Sequence, residues 1–403
     1  MLLEDQGLLS TDDLVCDWLP ELKLPKSFHK NLLKIHHLLS NTGGFPGIGA
    51  VNRARAKSIQ QDPDGAYMAD RLSYIYEGRQ IHTVLELIEL MNDIDYSLLG
   101  EPGTTYNYSN EGFALLQEII ERASDQSFSE FTKTHIFNPL NMTHSTFLKS
   151  DLDRFEQVTE IYGYTKDFKA FHSPVWWDVG KIYTNGSLKT TISDLMKYLE
   201  VYRLDGTVNG QQILSKAKLR KMMTPVLQVP TGEHYGYGLK LYNHRGYSMV
   251  GHPGNIKGGS AYILLAQDLG MTIAVLMNIG EVSAENVALT AFEHLVGLPE
   301  KPLATRKDKL SNEKLNTYVG LYQSAEGRRI HVSIKNDTLL IKTRNSEFLA
   351  QASIEEDTFL SPEGTKYKFM RDSSNYIVGI FSGLRFIPKA NSIIEALHVQ
   401  LTS

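Results

Sequence analysis

A chain of 403 residues is long enough for two or three domains with a large core, and 42% hydrophobic with 22% charged residues is a globular composition. A net charge of −5 with a pI near 6.2 gives no support to nucleic-acid binding or to a basic membrane-surface stripe, so no nucleic-acid partner is expected. The single cysteine, Cys16, excludes an intramolecular disulfide framework and cysteine metal clusters. No apolar run reaches the ~18 residues of a membrane span. Met1 is not followed by a basic-then-apolar signal segment, and the compartment stays open.

The chain opens on MLLEDQG, in which Met1 to Gln6 are good helix formers and Gly7 is the residue expected just past a helix C-terminus. Isolated helices shorter than ~12–15 residues are marginal, so this short run reads as the end of something longer. In KIHHLLSNTGG a helix carrying His36, His37, Leu38 and Leu39 runs into Thr42-Gly43-Gly44. Adjacent histidines point to different sides of a helix, so one ring should pack, the other should be solvated, and no shared metal is expected. In PGTTYNYSNEGFALLQEIIERAS the turn Tyr108-Ser109-Asn110 precedes a helix with an apolar stripe of Phe113, Leu116, Ile119 and Ile120. A Tyr and an Asn two apart at such an entry can project into one cleft; the plain alternative is an N-cap at Asn110 with Tyr108 packed on the helix.

Farther on, Trp176 and Trp177 lie in a loop before the Asn185-Gly186-Ser187 turn, placed either to line a pocket or to pack. Asp194 reads as a helix-start residue. HYGYGLKLY, GYSMVGH, GGSAYILLAQ and GMTIAVLMN read as strands joined by short turns. Between the second and third, GHPGNIKGG ends one strand at His252-Pro253-Gly254 and begins the next at Gly258-Gly259-Ser260. Gly254 would admit a ligand close to the backbone, and the N–H of Asn255 could face a developing oxyanion; a glycine-rich turn with a surface histidine is the plain alternative. Ser283 can cap a helix with Ala288, Leu289, Phe292, Leu295 and Val296 on one face. Strands followed by a helix, without βαβ alternation, argue an α+β fold over residues 1–298 with an antiparallel sheet.

Residues 299–315, with two prolines and many charges, read as a linker. After it the hydrophobic period becomes two. Ile330, Val332 and Ile334 alternate with polar residues, and Asn336-Asp337 supplies a hairpin turn. Further strands around Phe348 to Ile354, Thr365 to Arg371 and Tyr376 to Phe381 suggest a small antiparallel barrel or sandwich over 316–403. No His-Glu-x-x-His, Gly-x-Ser-x-Gly elbow or phosphate-binding glycine loop occurs, so neither a metal nor a cofactor is expected.

Taken together and in order, these segments resemble the serine β-lactamase and penicillin-binding DD-peptidase superfamily, most closely its class C-like branch of esterases, D-aminopeptidases and carboxypeptidases. LLSTDDLVCDWLPEL looks like the stretch that follows the nucleophile helix there. HHLLSNTGG looks like the family's His-Leu-Leu-Ser segment, with Asn41 where a second histidine is common; YSNEGFALLQEIIE, FNPLNMTHSTF, TNGSLKTTISDLMKY and YGYGLKLY with GHPGN follow in the family's order. The resemblance covers roughly residues 1–298, and the tail resembles the lipocalin-like β-barrel appended to some members.

The resemblance implies a β-lactamase/penicillin-binding-like antiparallel sheet with helices, and a serine acyl-enzyme mechanism on a small peptide, amide or ester. Tyr108 would transfer protons and Asn110 would orient the substrate, while His252 and Gly254 would form the strand that closes the site. The N–H of Asn255 would join that of the nucleophile in an oxyanion hole. A D-amino-acid peptidase or esterase is favoured over a β-lactamase, because His252 replaces the lysine of the third motif and a second domain is attached. Members are often extracytoplasmic in bacteria.

The family's Ser-x-x-Lys lies on the helix that ends where this chain begins, roughly ten residues before Met1. Three literal matches, Ser27-Lys30, Ser215-Lys218 and Ser311-Lys314, lack its context, and Ser109 should face away from Tyr108 and Asn110. No nucleophile is therefore assigned. The same resemblance implies that two strands before the nucleophile helix are missing, which would leave a sheet edge open to self-association. The expected protein is a hydrolase-type chain, inactive as given; the alternatives are a noncatalytic ligand-binding or interaction protein and a split enzyme receiving the helix in trans.

Overall fold

The computed structural model describes residues 1–25, 32–63, 79–164, 169–280, 282–300, 310–343, 347–352, 355–362 and 364–390. The chain divides into two units. The first comprises Met1–Phe45, Ala50–Gln228 and Glu233–Leu298; the second comprises Pro46–Gly49, Val229–Gly232 and Pro299–Ser403.

In the first unit the main helices are α1 (Leu2–Asp5), α2 (Ile35–Leu39), α3 (Val84–Asp93), α4 (Asn110–Ser124), α5 (Ile192–Arg203), α6 (Lys216–Met222) and α7 (Ala284–Leu295). Between α6 and α7 runs a sheet of β1 (Leu227–Gln228), β2 (His234–Tyr235), β3 (Lys240–His244), β4 (Tyr247–Ile256), β5 (Gly259–Ala266) and β6 (Met271–Met277). Every strand pairs antiparallel with its sequence neighbour, in the order β6-β5-β4-β3-β2-β1. Arg245 at φ 52° and Gly246 at φ 98° make the tight β3–β4 turn, the left-handed pair that matches strand twist.

Side chains alternate between the two faces of this sheet. Leu241, Val250 and Leu265 join Val201 and Tyr202 of α5 and Leu219 of α6 in one core; Met249, Tyr262 and Leu264 join Ala284, Ala288 and Phe292 of α7 in another. Each such side chain, once buried, contributes about 1.5–3 kcal/mol. In α7, Ser283 accepts from the Asn286 N–H (3.1 Å) and caps the helix as its sequence suggests, but Leu295 is 64% exposed rather than on the buried face. The spacing explains this: Ala284, Ala288 and Phe292 recur every four residues, and Leu295 falls beside that stripe.

Helix α1 has only four residues, too few to be stable alone. Gly7, at φ 71°, ends it, with the Leu8 N–H donating to the Leu3 carbonyl at 2.9 Å. Tertiary bonds hold it in place. Glu4 accepts from the Thr11 N–H (2.9 Å) and pairs with Lys218 (2.8 Å) and Lys221 (3.0 Å); Asp5 accepts from the Ser215 N–H and hydroxyl, both at 2.7 Å. His36 and His37 do not diverge as expected: their rings lie 4.0 Å apart, because His37 turns back so that its Nδ1 accepts from the Lys34 N–H (3.1 Å) at the start of α2.

In the second unit the first described helix, α8 (Asn312–Tyr318), capped by Ser311, starts inside the stretch read as linker. Nine strands follow: β7 (Gly320–Gln323), β8 (Arg329–Lys335), β9 (Thr338–Lys342), β10 (Glu347–Leu349), β11 (Gln351–Ala352), β12 (Thr358–Leu360), β13 (Lys366–Arg371), β14 (Ile377–Ser382) and β15 (Arg385–Pro388). They form two antiparallel sheets, β7 to β10 and β11 to β15, around Tyr318, Tyr322, Val332, Ile341, Phe369 and Ile380. Asn336 (φ 51°) and Asp337 (φ 53°) make the expected β8–β9 turn. The described strands do not close into a barrel. The chain changes sheets at Ala350, and β7 meets the residue after β15 through a single bridge, Tyr322 to Lys389.

Candidate active site

Helix α4 is capped by Ser109, not Asn110: the Ser109 hydroxyl accepts from the Gly112 N–H at 3.0 Å. This leaves Asn110 as the first helical residue. Its carbonyl accepts from Asn185 Nδ2 at 2.8 Å, which joins α4 to the Asn185-Gly186 turn. Gln117, two turns farther along, fixes the same loop, accepting from the Tyr183 N–H and donating to the Lys181 carbonyl, each at 2.7 Å. Tyr108 stacks on Phe113, with centroids 6.3 Å apart and planes within 8°, so Phe113 is drawn out of the buried stripe, which runs through Leu115, Leu116 and Ile119.

Asn41 holds this turn from the other side. It occupies the left-handed region at φ 57°, its Oδ1 accepts from the Ser109 N–H (2.9 Å), and its carbonyl accepts from the Asn107 N–H (3.0 Å). Asn is one of the few residues besides Gly that enters this region readily. The residue between Tyr108 and Asn110 is thus pinned by both its N–H and its hydroxyl, while Asn110 Oδ1 accepts from Asn185 Nδ2 at 3.4 Å.

On the sheet, His252 lies on β4 with its ring centroid 6.1 Å from that of Tyr108. His252 Nε2 is 3.1 Å from the Tyr235 hydroxyl on β2, and Tyr235 packs on Tyr106 at 5.2 Å. Burial pushes the His252 imidazole down to about 4, so it is neutral at neutral pH. Gly254, two residues on, shares the His252 face of β4 and is exposed; Asn255 is exposed too, with Nδ2 donating to the Ser260 hydroxyl at 3.3 Å.

Trp177 belongs to a different cluster. Its Nε1 donates to Asp62 Oδ2 at 2.7 Å; the same oxygen pairs with Lys257 Nζ, which also donates to the Val175 carbonyl at 3.1 Å and sits 5.7 Å from the Trp177 ring centroid. This is a packed ion pair at the tip of the β4–β5 hairpin, and Trp177 acts there as a hydrogen-bond donor and wall. Trp176, beside it, is half-buried, and no described bond or ring contact joins it to Tyr108 or His252. Among the described residues no group of acidic, histidine or cysteine side chains could hold a metal.

The profile of the beta-lactamase family matches residues 1–297. The chain belongs to that family. Among its relatives in the beta-lactamase family, penicillin-binding protein 4* of Bacillus subtilis is 27% identical over 363 residues, 85% of this chain and 72% of that protein. A D-aminopeptidase of Cereibacter sphaeroides is 24% identical over 246 residues, 59% of this chain and 45% of that protein. Among solved structures, the octameric penicillin-binding protein homologue from Pyrococcus abyssi matches with a TM-score of 0.64 and 26% identity, over 96% of this chain and 84% of that one.

Within this beta-lactamase-family chain the literal Ser-x-x-Lys matches have other duties. Ser215 caps α6 and donates to Asp5 while Lys218 pairs with Glu4; Ser311 caps α8 while Lys314 pairs with Glu356 at 3.1 Å. Ser27 lies outside the described residues. Tyr235 and Asn41 are the neighbours that sequence reasoning did not assign to the site. Only the departure at Asn41 from the family's histidine could have drawn attention.

Proposed function

We propose that this chain carries the substrate-orienting half of a serine acyl-transfer site for peptide, amide or ester carbonyls, and that the 403-residue chain binds such ligands without turning them over. The observation that carries this reading is the approach of Tyr108 to His252, 6.1 Å between rings, with Asn110 opening the adjoining helix. In this reading the Tyr108 hydroxyl is the proton-transfer group, the Asn110 amide orients the ligand's carbonyl or side-chain amide, and neutral His252 offers a hydrogen bond but no charge. Gly254 leaves room for an extended ligand beside β4, and the Asn255 N–H supplies half of an oxyanion hole. A catalytic member would complete the hole with its nucleophile's own N–H, then pass through acylation and deacylation. The D-aminopeptidase relative favours a D-amino-acid peptide or ester as ligand.

Self-association is part of the same reading. It is supported by the octameric homologue, which gives the interaction-protein alternative its own observation.

Calorimetric titration with benzylpenicillin and with a D-alanyl-D-alanine peptide tests the cleft. Binding is expected, and Asn110→Ala or Tyr108→Phe should weaken it about tenfold, roughly 1.4 kcal/mol, with the circular dichroism unchanged. Absent binding, or binding indifferent to both substitutions, would overturn the assignment.

A further inference from the structure

Tyr235 is fully buried, and a buried tyrosine hydroxyl needs a hydrogen-bond partner. On β2 it pairs with Lys240 of β3, and its ring packs on that of Tyr106, itself buried, at 5.2 Å between centroids. The β3–β4 ladder ends at Lys240–Gly251, one residue short of His252. There the Tyr235 hydroxyl stands 3.1 Å from His252 Nε2, with the two rings edge to face at 6.4 Å and 71°.

A hydroxyl can give or take a hydrogen bond, and a neutral imidazole does the two through different nitrogens. The other side of the ring settles the direction. The Pro253 carbonyl also hydrogen-bonds the His252 ring, and a carbonyl can only accept. With Nε2 turned to Tyr235, the nitrogen facing Pro253 is Nδ1, so Nδ1 carries the proton. Nε2 is then the bare nitrogen, and the Tyr235 O–H donates to it. A ring flip would put carbon atoms at both places, and the other tautomer would set a lone pair against the carbonyl. The two contacts therefore fix one tautomer and one orientation. Tyr108 packs against the ring so held, at 6.1 Å, and against Phe113, at 6.3 Å.

We propose that Tyr235 is a positioning residue: its buried hydroxyl holds His252 as the Nδ1–H tautomer, so that the one proton His252 can share with a ligand, and the ring against which Tyr108 packs, stay in one place. Tyr235 acts on the ligand through His252 and does not touch it. The inference rests on the ligand-binding reading above and adds to it the residue that orders the histidine and the nitrogen that bears its proton.

Heteronuclear NMR of the full chain with isotope-labelled histidine, at neutral pH, distinguishes the tautomers by the shifts of the two ring nitrogens; the His252 signals are those missing from His252→Gln. His252 is expected as the Nδ1–H form alone. In Tyr235→Phe, which keeps the ring on Tyr106, both tautomers should appear, and the affinity for benzylpenicillin and for the D-alanyl-D-alanine peptide should fall about fivefold by calorimetric titration. A proton on Nε2 in the unsubstituted chain overturns the proposal without any variant. So does a Tyr235→Phe chain, its circular dichroism unchanged, that keeps the single tautomer or keeps its affinity. If the tautomer responds to Tyr235→Phe but the unsubstituted chain binds neither ligand, the cleft assignment falls while the hold of Tyr235 on His252 stands.

Discussion

His252 owes its neutrality to burial beside Tyr108 and Tyr235, and that has a measurable consequence. Its folded-state value, about 4, lies below the ordinary histidine value of 6.5, and burial lowers His37 to about 4 as well. Between those values the unfolded chain binds more protons than the folded one, so stability is complete above pH 6.5 and falls as pH drops toward 4. Denaturant midpoints measured across that window should decline on acidification, and His252→Gln should make the decline shallower; an unchanged slope would show that His252 is not buried neutral. At this scale Tyr108, Asn110 and His252 drew attention as chemistry-bearing residues beside turns and glycines, and the fold brings the Tyr108 and His252 rings to 6.1 Å with Asn110 opening the adjoining helix. Tyr235 was not, since nothing local ties a strand tyrosine to a histidine 17 residues later. Trp177 was legible only as a choice between pocket wall and packing, and its bond to Asp62 weights the second.

Among the elements, the three long strands β4, β5 and β6 were read nearly in place, because each is bounded by glycine or a polar turn, whereas HYGYGLKLY, read as one strand, is β2 and β3 paired antiparallel through a turn at Gly236 to Leu239, and the two-residue β1 was not read. The short helices were harder. Helix α8 sits in a charged, proline-flanked stretch whose composition says linker, and what marks its start is Ser311, a residue that also counts as a literal Ser-x-x-Lys match. The second unit's barrel was overread for a related reason: alternation reports strands, but closure depends on pairing at Ala350 and Lys389 that no local pattern encodes. One contact is decisive for how elements hold together. Asp62, Trp177 and Lys257 tie a helix end, a loop and the β4–β5 hairpin together, with the Asp62 side chain fully buried and that of Lys257 12% exposed. Asp62→Asn should therefore cost about 3–5 kcal/mol in chemical denaturation, because the lysine is left uncompensated, and Asp62→Asn with Lys257→Met should recover much of that loss. Equal losses in the single and double variants would show that the pair is not coupled.

For the whole molecule, membership of the beta-lactamase family was legible from segments that are individually weak but occur in one order across residues 1–297. What order alone could not reveal is that Ser215 and Lys218, Ser311 and Lys314 are consumed by helix caps and ion pairs, since a four-residue pattern carries no information on what surrounds it. Among the described residues no helix is long and apolar enough to cross a membrane. Intact-mass spectrometry of the purified 403-residue chain after prolonged exposure to a fluorophosphonate and to benzylpenicillin tests the central claim most directly. The account predicts an unchanged mass with both reagents; a stoichiometric adduct mapped to any serine of this chain would contradict it.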